Sequence, residues 1–179
     1  MILMSFFIFT DSRSITLICD SIAKHIKSLK CYTLQPFPCA DIWDIIYYID
    51  AGIVKVKYDI IIIHVGTNNV CNHKLADFNY AYNVLITTVK RLANLNAVII
   101  LSAIIPRPLD KSGNFVKSVN FQLQSICQKR AVKFVATYKP FLKFGVPVCE
   151  FYSPICNLHL NHSGNIKLTN FFVQVLAHC

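Results

Sequence analysis

The feature of this sequence that most constrains its fold is a run of four isoleucines at residues 60–63. The run has the length of a strand and is apolar at every position. Because successive side chains of a strand point to opposite faces of a sheet, such a run predicts a strand that is buried on both faces. Central strands of parallel sheets have this property, since crossover helices cover both faces.

Elsewhere in the chain, short apolar runs alternate with stretches of helical period, which is typical of a parallel sheet covered by helices. The predicted fold is α/β, a three-layer, flavodoxin-like α/β/α sandwich with a central five-stranded parallel sheet. Its strands are predicted at residues 15–19, 31–35, 59–65, 97–102 and 132–136. Three helices are predicted from apolar stripes at Ile42, Ile45, Ile46, Ile49 and Ile53, at Phe78, Tyr82, Leu85, Val89 and Leu92, and at Val116, Val119, Leu123 and Ile126. A last helix, about residues 163–176, is predicted to bury Ile166, Phe171 and Val175.

A length of 179 residues predicts one domain, residues 14–179, with residues 1–13 as a peripheral lead-in. Hydrophobic residues make up 54% and charged residues 15%, which excludes a disordered chain. No apolar run approaches the ~18 residues of a spanning helix. Because residues 1–9 lack a basic leader, we expect an intracellular, cytoplasmic protein whose eight cysteines are reduced and mostly buried.

Polar residues follow two predicted strands and precede the last helix: Asp20 and Ser21, then residues 66–69, then residues 158–161. Ligands of parallel sheets bind beside the carboxyl ends of the strands, so these are the candidate site residues. Ser21 is a candidate nucleophile or the cap of a following helix, and Asp20 is assigned a structural role. The Asn68 amide is a candidate oxyanion donor or an ordinary loop residue. His159 is a candidate general base or a packed histidine.

Four blocks in order, over about residues 15–176, resemble the SGNH (GDSL-like) hydrolases, most closely the esterase-like domains of animal retrotransposons. The blocks are Cys19-Asp20-Ser21-Ile22, Pro38-Cys39-Ala40-Asp41-Ile42, His64-Val65-Gly66-Thr67-Asn68-Asn69, and Leu158-His159-Leu160-Asn161 followed by Gly164-Asn165. Residues 101–107 look like the strand and loop after the family's fourth strand.

The resemblance implies an esterase or lipase in which Ser21 is the nucleophile and His159 the base. The oxyanion would be held by the N–H groups of Ser21 and Cys39 and by the Asn68 amide, with no metal or cofactor. Cysteine replaces the family's glycine at positions 19 and 39. Cys156 occupies the position of the triad acid, and because a neutral thiol does not stabilise an imidazolium as a carboxylate does, we expect hydrolysis that is weakened or lost.

Two other interpretations stay open. Cys156, His159 and His162 have a spacing that suits zinc. The formal charge of +9 favours an inactive module of a mobile element that binds nucleic acid or an anionic membrane surface. The basic clusters behind that interpretation are Lys24, Lys27 and Lys30 on a helix expected directly after Ser21, and Lys129, Arg130 and Lys133. Their alternative is a solvated surface.

Overall fold

The computed structural model describes residues 13–26, 32–70, 75–108 and 113–178. Five parallel strands form the sheet, in the spatial order β2-β1-β3-β4-β5. They are β1 (Ile15–Cys19), β2 (Tyr32–Pro36), β3 (Ile60–His64), β4 (Val98–Ser102) and β5 (Lys133–Val135). The predicted five-stranded parallel sheet is therefore confirmed, with strand ends that differ by at most one residue.

The helices of the described residues are α1 (Ile42–Asp50), α2 (Leu75–Leu92), α3 (Gly113–Lys129) and α4 (His162–Leu176). Two short 3-10 helices, Lys139–Phe141 and Cys149–Phe151, flank a small hairpin of β6 (Leu142–Lys143) and β7 (Val146–Pro147). The sequence analysis did not predict these four short elements. None of the described helices is long and apolar enough to cross a membrane.

The isoleucine run of β3 is buried on both faces, as predicted. Ile61 and Ile63 join the cluster beneath α1, α2 and α3, whereas Ile60 and Ile62 join the cluster beneath α4. All four side chains are at most 1% exposed. The sheet is thus the middle of three layers, and its apolar side chains point alternately into two separate cores.

The last helix buries a different stripe from the predicted one. Ile166 is 45% exposed, and Phe171 and Val175 are only partly buried. The residues that face the sheet are Leu168, Phe172 and Leu176. The stripe is rotated because Gly164 lies against the backbone of Phe151, a contact that a Cβ atom at Gly164 would prevent. The prediction was wrong for Ile166, whereas Phe171 and Val175 pack, partly buried, against the same cluster as Leu168.

Other local predictions also differ from the structure. Residues 21–25 form turns rather than a helix, so Ser21 caps no helix there, and Lys27 and Lys30 lie outside the described residues. Helix α1 ends at Asp50 and leaves Ile53 54% exposed. Of the five cysteines that the structure describes, all are free thiols, and only Cys19 and Cys127 are buried.

Truncation of α4 side chains tests its orientation. Leu168→Ala should lower the free energy of unfolding by about 2–5 kcal/mol, because Leu168 is fully buried and its loss leaves a cavity. Ile166→Ala should change it by less than about 1 kcal/mol. Urea unfolding of both variants measures the difference. A larger loss for Ile166→Ala would contradict the orientation described here.

Candidate active site

The sheet order reverses between β1 and β3, the position at which open parallel sheets form a ligand-binding crevice. After β1 the chain moves to β2 on one side, and it then returns past β1 to β3 on the other. Cys19, the last residue of β1, is paired with His64, the last residue of β3. Ligands of open parallel sheets bind at such a reversal, outside the carboxyl ends of the strands. Both polar loops that follow β1 and β3 therefore lie at this edge.

A buried carboxylate joins the two loops. One Asp20 oxygen accepts a hydrogen bond from the Ile22 N–H at 3.0 Å, and the other accepts from the Thr67 N–H at 3.2 Å. The Asp20 N–H itself donates to the carbonyl oxygen of His64. Asp20 thus fastens the turn that carries Ser21 to the loop after β3. The structural role predicted for Asp20 at its own turn therefore extends to the loop after β3.

His159 approaches the same turn. Burial raises the pKa of Asp20 to about 6, and the hydrogen bonds from Ile22 and Thr67, together with the charge of His159, oppose that rise. Ile22 and Leu160, the residues that follow Ser21 and His159, belong to one hydrophobic cluster. In the described residues, the side chain bonded to the His159 ring is Cys156 rather than Ser21. Within the described residues, His159 thus acts electrostatically on the residue before Ser21, and its ring is hydrogen-bonded to Cys156.

The two candidate oxyanion loops are also bonded to each other. The Asn68 amide donates to the carbonyl oxygen of Ala40 at 2.8 Å, which uses one of its two hydrogens. The Asn69 side-chain oxygen accepts from the Ile42 N–H at 3.1 Å. Since Cys39 precedes Ala40, the structure brings Cys39 and Asn68 to adjacent loops.

Two residues of these loops have positive φ angles. Gly66 has φ 112°, and a Cβ atom there would lie 2.5 Å from the Tyr82 hydroxyl, so only glycine fits. Cys39 has φ 67°, a left-handed conformation that costs a non-glycine residue about 1–2 kcal/mol. By the resemblance, the family has glycine where this chain has Cys39, and the Cys39 backbone has a conformation that glycine favours.

Cys156 lies beside the His159 ring, with its Sγ atom 3.4 Å from Nδ1. The His159 N–H donates to the same sulfur at 3.4 Å. Hydrogen bonds from the N–H groups of His159 and Leu158 lower the pKa of Cys156 to about 6, and the Ser153 hydroxyl contributes in the same direction. This pKa lies below the reference value of a thiol, on which the expectation of a neutral Cys156 was based.

A buried polar network crosses the carboxyl ends of β3, β4 and β5, and it was not predicted from the sequence. The Thr137 hydroxyl donates to the Ala103 carbonyl oxygen and so accepts from Ser102, whose oxygen in turn accepts from His64 Nδ1 at 2.7 Å. This order of donors places the His64 proton on Nδ1. Burial lowers the pKa of His64 to about 4. The available signal was one histidine that ends an otherwise apolar strand.

The structure also bears on the alternative sites. His162 is exposed at the start of α4, and within the described residues no three His, Cys, Asp or Glu side chains come together as metal ligands. In the second basic cluster, the Arg130 guanidinium donates to the Thr87 hydroxyl at 2.6 Å. Lys129 and Lys133 are exposed.

Comparison with solved structures finds the same architecture in bacterial lipases and acylhydrolases. A candidate platelet activating factor from Streptococcus pneumonia has a TM-score of 0.80 at 19% identity, over 95% of this chain and 86% of that one. A GDSL-like lipase from Bacteroides thetaiotaomicron has a TM-score of 0.77 at 11% identity, over 92% and 88%. A lipase/acylhydrolase from Enterococcus faecalis has a TM-score of 0.72 at 17% identity, over 92% and 95%.

No family model matches the sequence, and no curated protein matches it. The chain has an α/β fold with a five-stranded parallel sheet and a crevice at its point of reversal. More particularly, it has the fold of the GDSL-like (SGNH) lipases and acylhydrolases, as the resemblance implied. These neighbours are bacterial proteins, so the likeness to domains of animal retrotransposons stays a prediction.

Replacement of Cys39 tests the backbone strain in the candidate oxyanion loop. Cys39→Gly should raise the free energy of unfolding by roughly 1 kcal/mol, because glycine adopts a φ of 67° without the steric penalty. Ala51→Gly is the matched control, since Ala51 has a φ of −75° and should lose stability on the same change. Equal losses in the two variants, measured by thermal or urea unfolding, would contradict the assignment of strain.

Asp20 and His64 should oppose each other in the pH dependence of stability. The folded pKa of Asp20, about 6, lies above its unfolded value of 3.8, so the folded chain binds more protons and stability falls as pH rises from about 4 to 6. The folded pKa of His64, about 4, lies below its unfolded value of 6.5, so stability rises over almost the same range. Each shift corresponds to roughly 3 kcal/mol, and the two contributions nearly cancel.

Single substitutions should expose the two slopes. Asp20→Asn should leave stability that rises with pH between 4 and 6, whereas His64→Gln should leave stability that falls. Urea unfolding at a series of pH values measures both slopes. Variants that keep the wild-type slope would show that these two side chains do not titrate as described.

Proposed function

We propose that this chain is a serine hydrolase of carboxylic esters, acting on lipid or small acyl esters, with Ser21 as nucleophile and His159 as base. Support comes from the electrostatic contact between His159 and Asp20, the residue that precedes Ser21. The proposed pair would join residues about 140 positions apart in the sequence. The solved structures of the same fold include proteins described as a lipase/acylhydrolase and a GDSL-like lipase.

The proposed reaction proceeds through an acyl-enzyme. Ser21 Oγ attacks the ester carbonyl carbon while its proton moves to His159 Nε2. The bond from carbonyl carbon to alcohol oxygen then breaks, and the leaving oxygen takes the proton from His159. Water attacks the acyl-enzyme with His159 again accepting a proton, the carboxylic acid departs, and Ser21 recovers its hydrogen.

The negative oxygen of each tetrahedral intermediate needs hydrogen-bond donors. The proposed donors are the N–H groups of Ser21 and Cys39 and the second hydrogen of the Asn68 amide. The bond from Asn68 to Ala40 holds that amide beside Cys39 before substrate binds. A cysteine supplies the same backbone donor as glycine, and the left-handed φ of Cys39 retains the glycine-like backbone.

Ester hydrolysis by matched variants tests the proposal. Wild-type protein should hydrolyse p-nitrophenyl acetate above background, and Ser21→Ala and His159→Ala should each reduce turnover by at least roughly 100-fold, since each removes a member of the proposed pair. Exposed residues of the same types supply the controls, Ser118→Ala and His162→Ala, which should keep wild-type turnover.

A fluorophosphonate probe should label wild-type protein at Ser21 and leave Ser21→Ala unlabelled. Equal hydrolysis by wild type, Ser21→Ala and His159→Ala would contradict the enzyme. In that case the non-catalytic binding interpretation would gain, and affinity for single-stranded nucleic acid or anionic vesicles that falls steeply with salt would be its signature.

A further inference from the structure

We propose that Cys156, in its thiolate form, is the positioning residue of His159, so that the hydrolase works with a serine, a histidine and a thiolate in place of a carboxylate. The proposal rests on the proposed function, because it names the group that orients the base of that reaction. It reverses the expectation that cysteine at this position removes the triad's negative charge.

The geometry around Cys156 is that of an anion site formed by a tight turn. The turn is closed by hydrogen bonds from the Ser153 N–H to the His159 carbonyl oxygen and from the Asn157 N–H to the Ser153 carbonyl oxygen, both at 2.8 Å. Asn157 has φ 46°, a left-handed conformation that asparagine tolerates. Successive N–H groups beside a left-handed residue form a concavity that binds anions.

The sulfur accepts hydrogen bonds from more than one donor in this turn. The N–H groups of Leu158 and His159 and the Ser153 hydroxyl all act on Cys156 Sγ. Charge-assisted hydrogen bonds are about twice as strong as neutral ones, so donors of this number favour the charged sulfur. They are the physical reason that the pKa of Cys156 lies at about 6.

The charge state of the sulfur decides which nitrogen of His159 holds the proton. A neutral thiol donates to Nδ1, which leaves the proton of the ring on Nε2 and removes its lone pair. A thiolate only accepts, so Nδ1 carries the proton and Nε2 keeps the lone pair that takes the Ser21 proton. In a carboxylate triad the acid has this same role, and loss of the preferred tautomer there costs about 10⁴ in turnover.

The thiolate also stabilises the imidazolium that forms when Ser21 transfers its proton. Cys156 keeps its charge throughout, and no bond to sulfur forms or breaks. The other titratable group that acts on His159 is Asp20, on the opposite loop of the crevice. The Asp20 carboxylate accepts hydrogen bonds from the N–H groups of Ile22 and Thr67, whereas Cys156 contacts the His159 ring directly.

Three substitutions at one position test the role of the charge. Cys156→Ser keeps the size and polarity of the side chain without the charge, and it should lower kcat by at least roughly 100-fold with little change in KM. Cys156→Ala should match it. Cys156→Asp restores a negative charge, and its kcat should lie within roughly tenfold of wild type. Thermal unfolding of the same proteins verifies that all are folded.

An inert cysteine gives the opposite order. Wild-type turnover equal to that of Cys156→Ser, with Cys156→Asp well above both, would overturn the proposal. If wild type and Cys156→Asp both hydrolyse no ester, the proposed function fails. The charge of Cys156 is then tested by the reactivity of its sulfur, which does not depend on hydrolysis.

The reactivity of Cys156 is measured by iodoacetamide labelling, which needs no enzyme activity because the thiolate is the nucleophile. Mass spectrometry at pH 6.5 should find Cys156 labelled at least roughly tenfold faster than the exposed Cys149 in the same sample. As the pH is lowered, the labelling rate at Cys156 should fall to half of its maximum near pH 6. A rate that still rises steeply above pH 8 would show a neutral thiol and overturn the proposal.

Discussion

The candidate site depends on one buried carboxylate. Asp20 is fully buried, and a charge in that position is tolerated only because the N–H groups of Ile22 and Thr67 point at its oxygens. Those two donors belong to different loops, so satisfying the carboxylate also fixes the distance between the Ser21 turn and the loop after β3. Solvation of one group thereby assembles residues that lie far apart in the sequence.

The sequence predicted the sheet well because its signals are local. Four consecutive isoleucines have one favourable environment, a strand buried on both faces, and the structure places residues 60–63 there. The order of strand-end motifs also predicted which loops meet, since carboxyl ends of parallel strands share one edge. Hydrogen bonds accordingly join the loop after β3 to both of the others, from the Thr67 N–H to Asp20 and from the Asn68 amide to Ala40, the residue after Cys39.

What the sequence did not predict depends on contacts between distant segments. Helix α4 has apolar residues on several sides, and periodicity alone did not distinguish a stripe through Ile166 from one through Leu168. The choice follows from Gly164, which packs against Phe151 where any side chain would collide. The network from His64 through Ser102 to Thr137 also depends on distant contacts, because its bonded residues lie 35 or more positions apart. The turns after Ser21 have no periodic pattern that would predict them.

Cys156 shows why residue identity is a weaker guide to chemistry than the backbone around the residue. From residue type alone, cysteine at the position of the triad acid predicts a neutral side chain and the loss of a negative charge. A reference thiol loses its proton near pH 8.5, but a turn that aims backbone N–H groups at sulfur stabilises the anion, as helix N-termini do for reactive cysteines elsewhere. The donors at Leu158 and His159 are backbone groups, which no substitution except proline removes. In the proposed site the same N–H groups would bind oxygen or sulfur, so a carboxylate could be exchanged for a thiol with the negative charge beside the histidine kept.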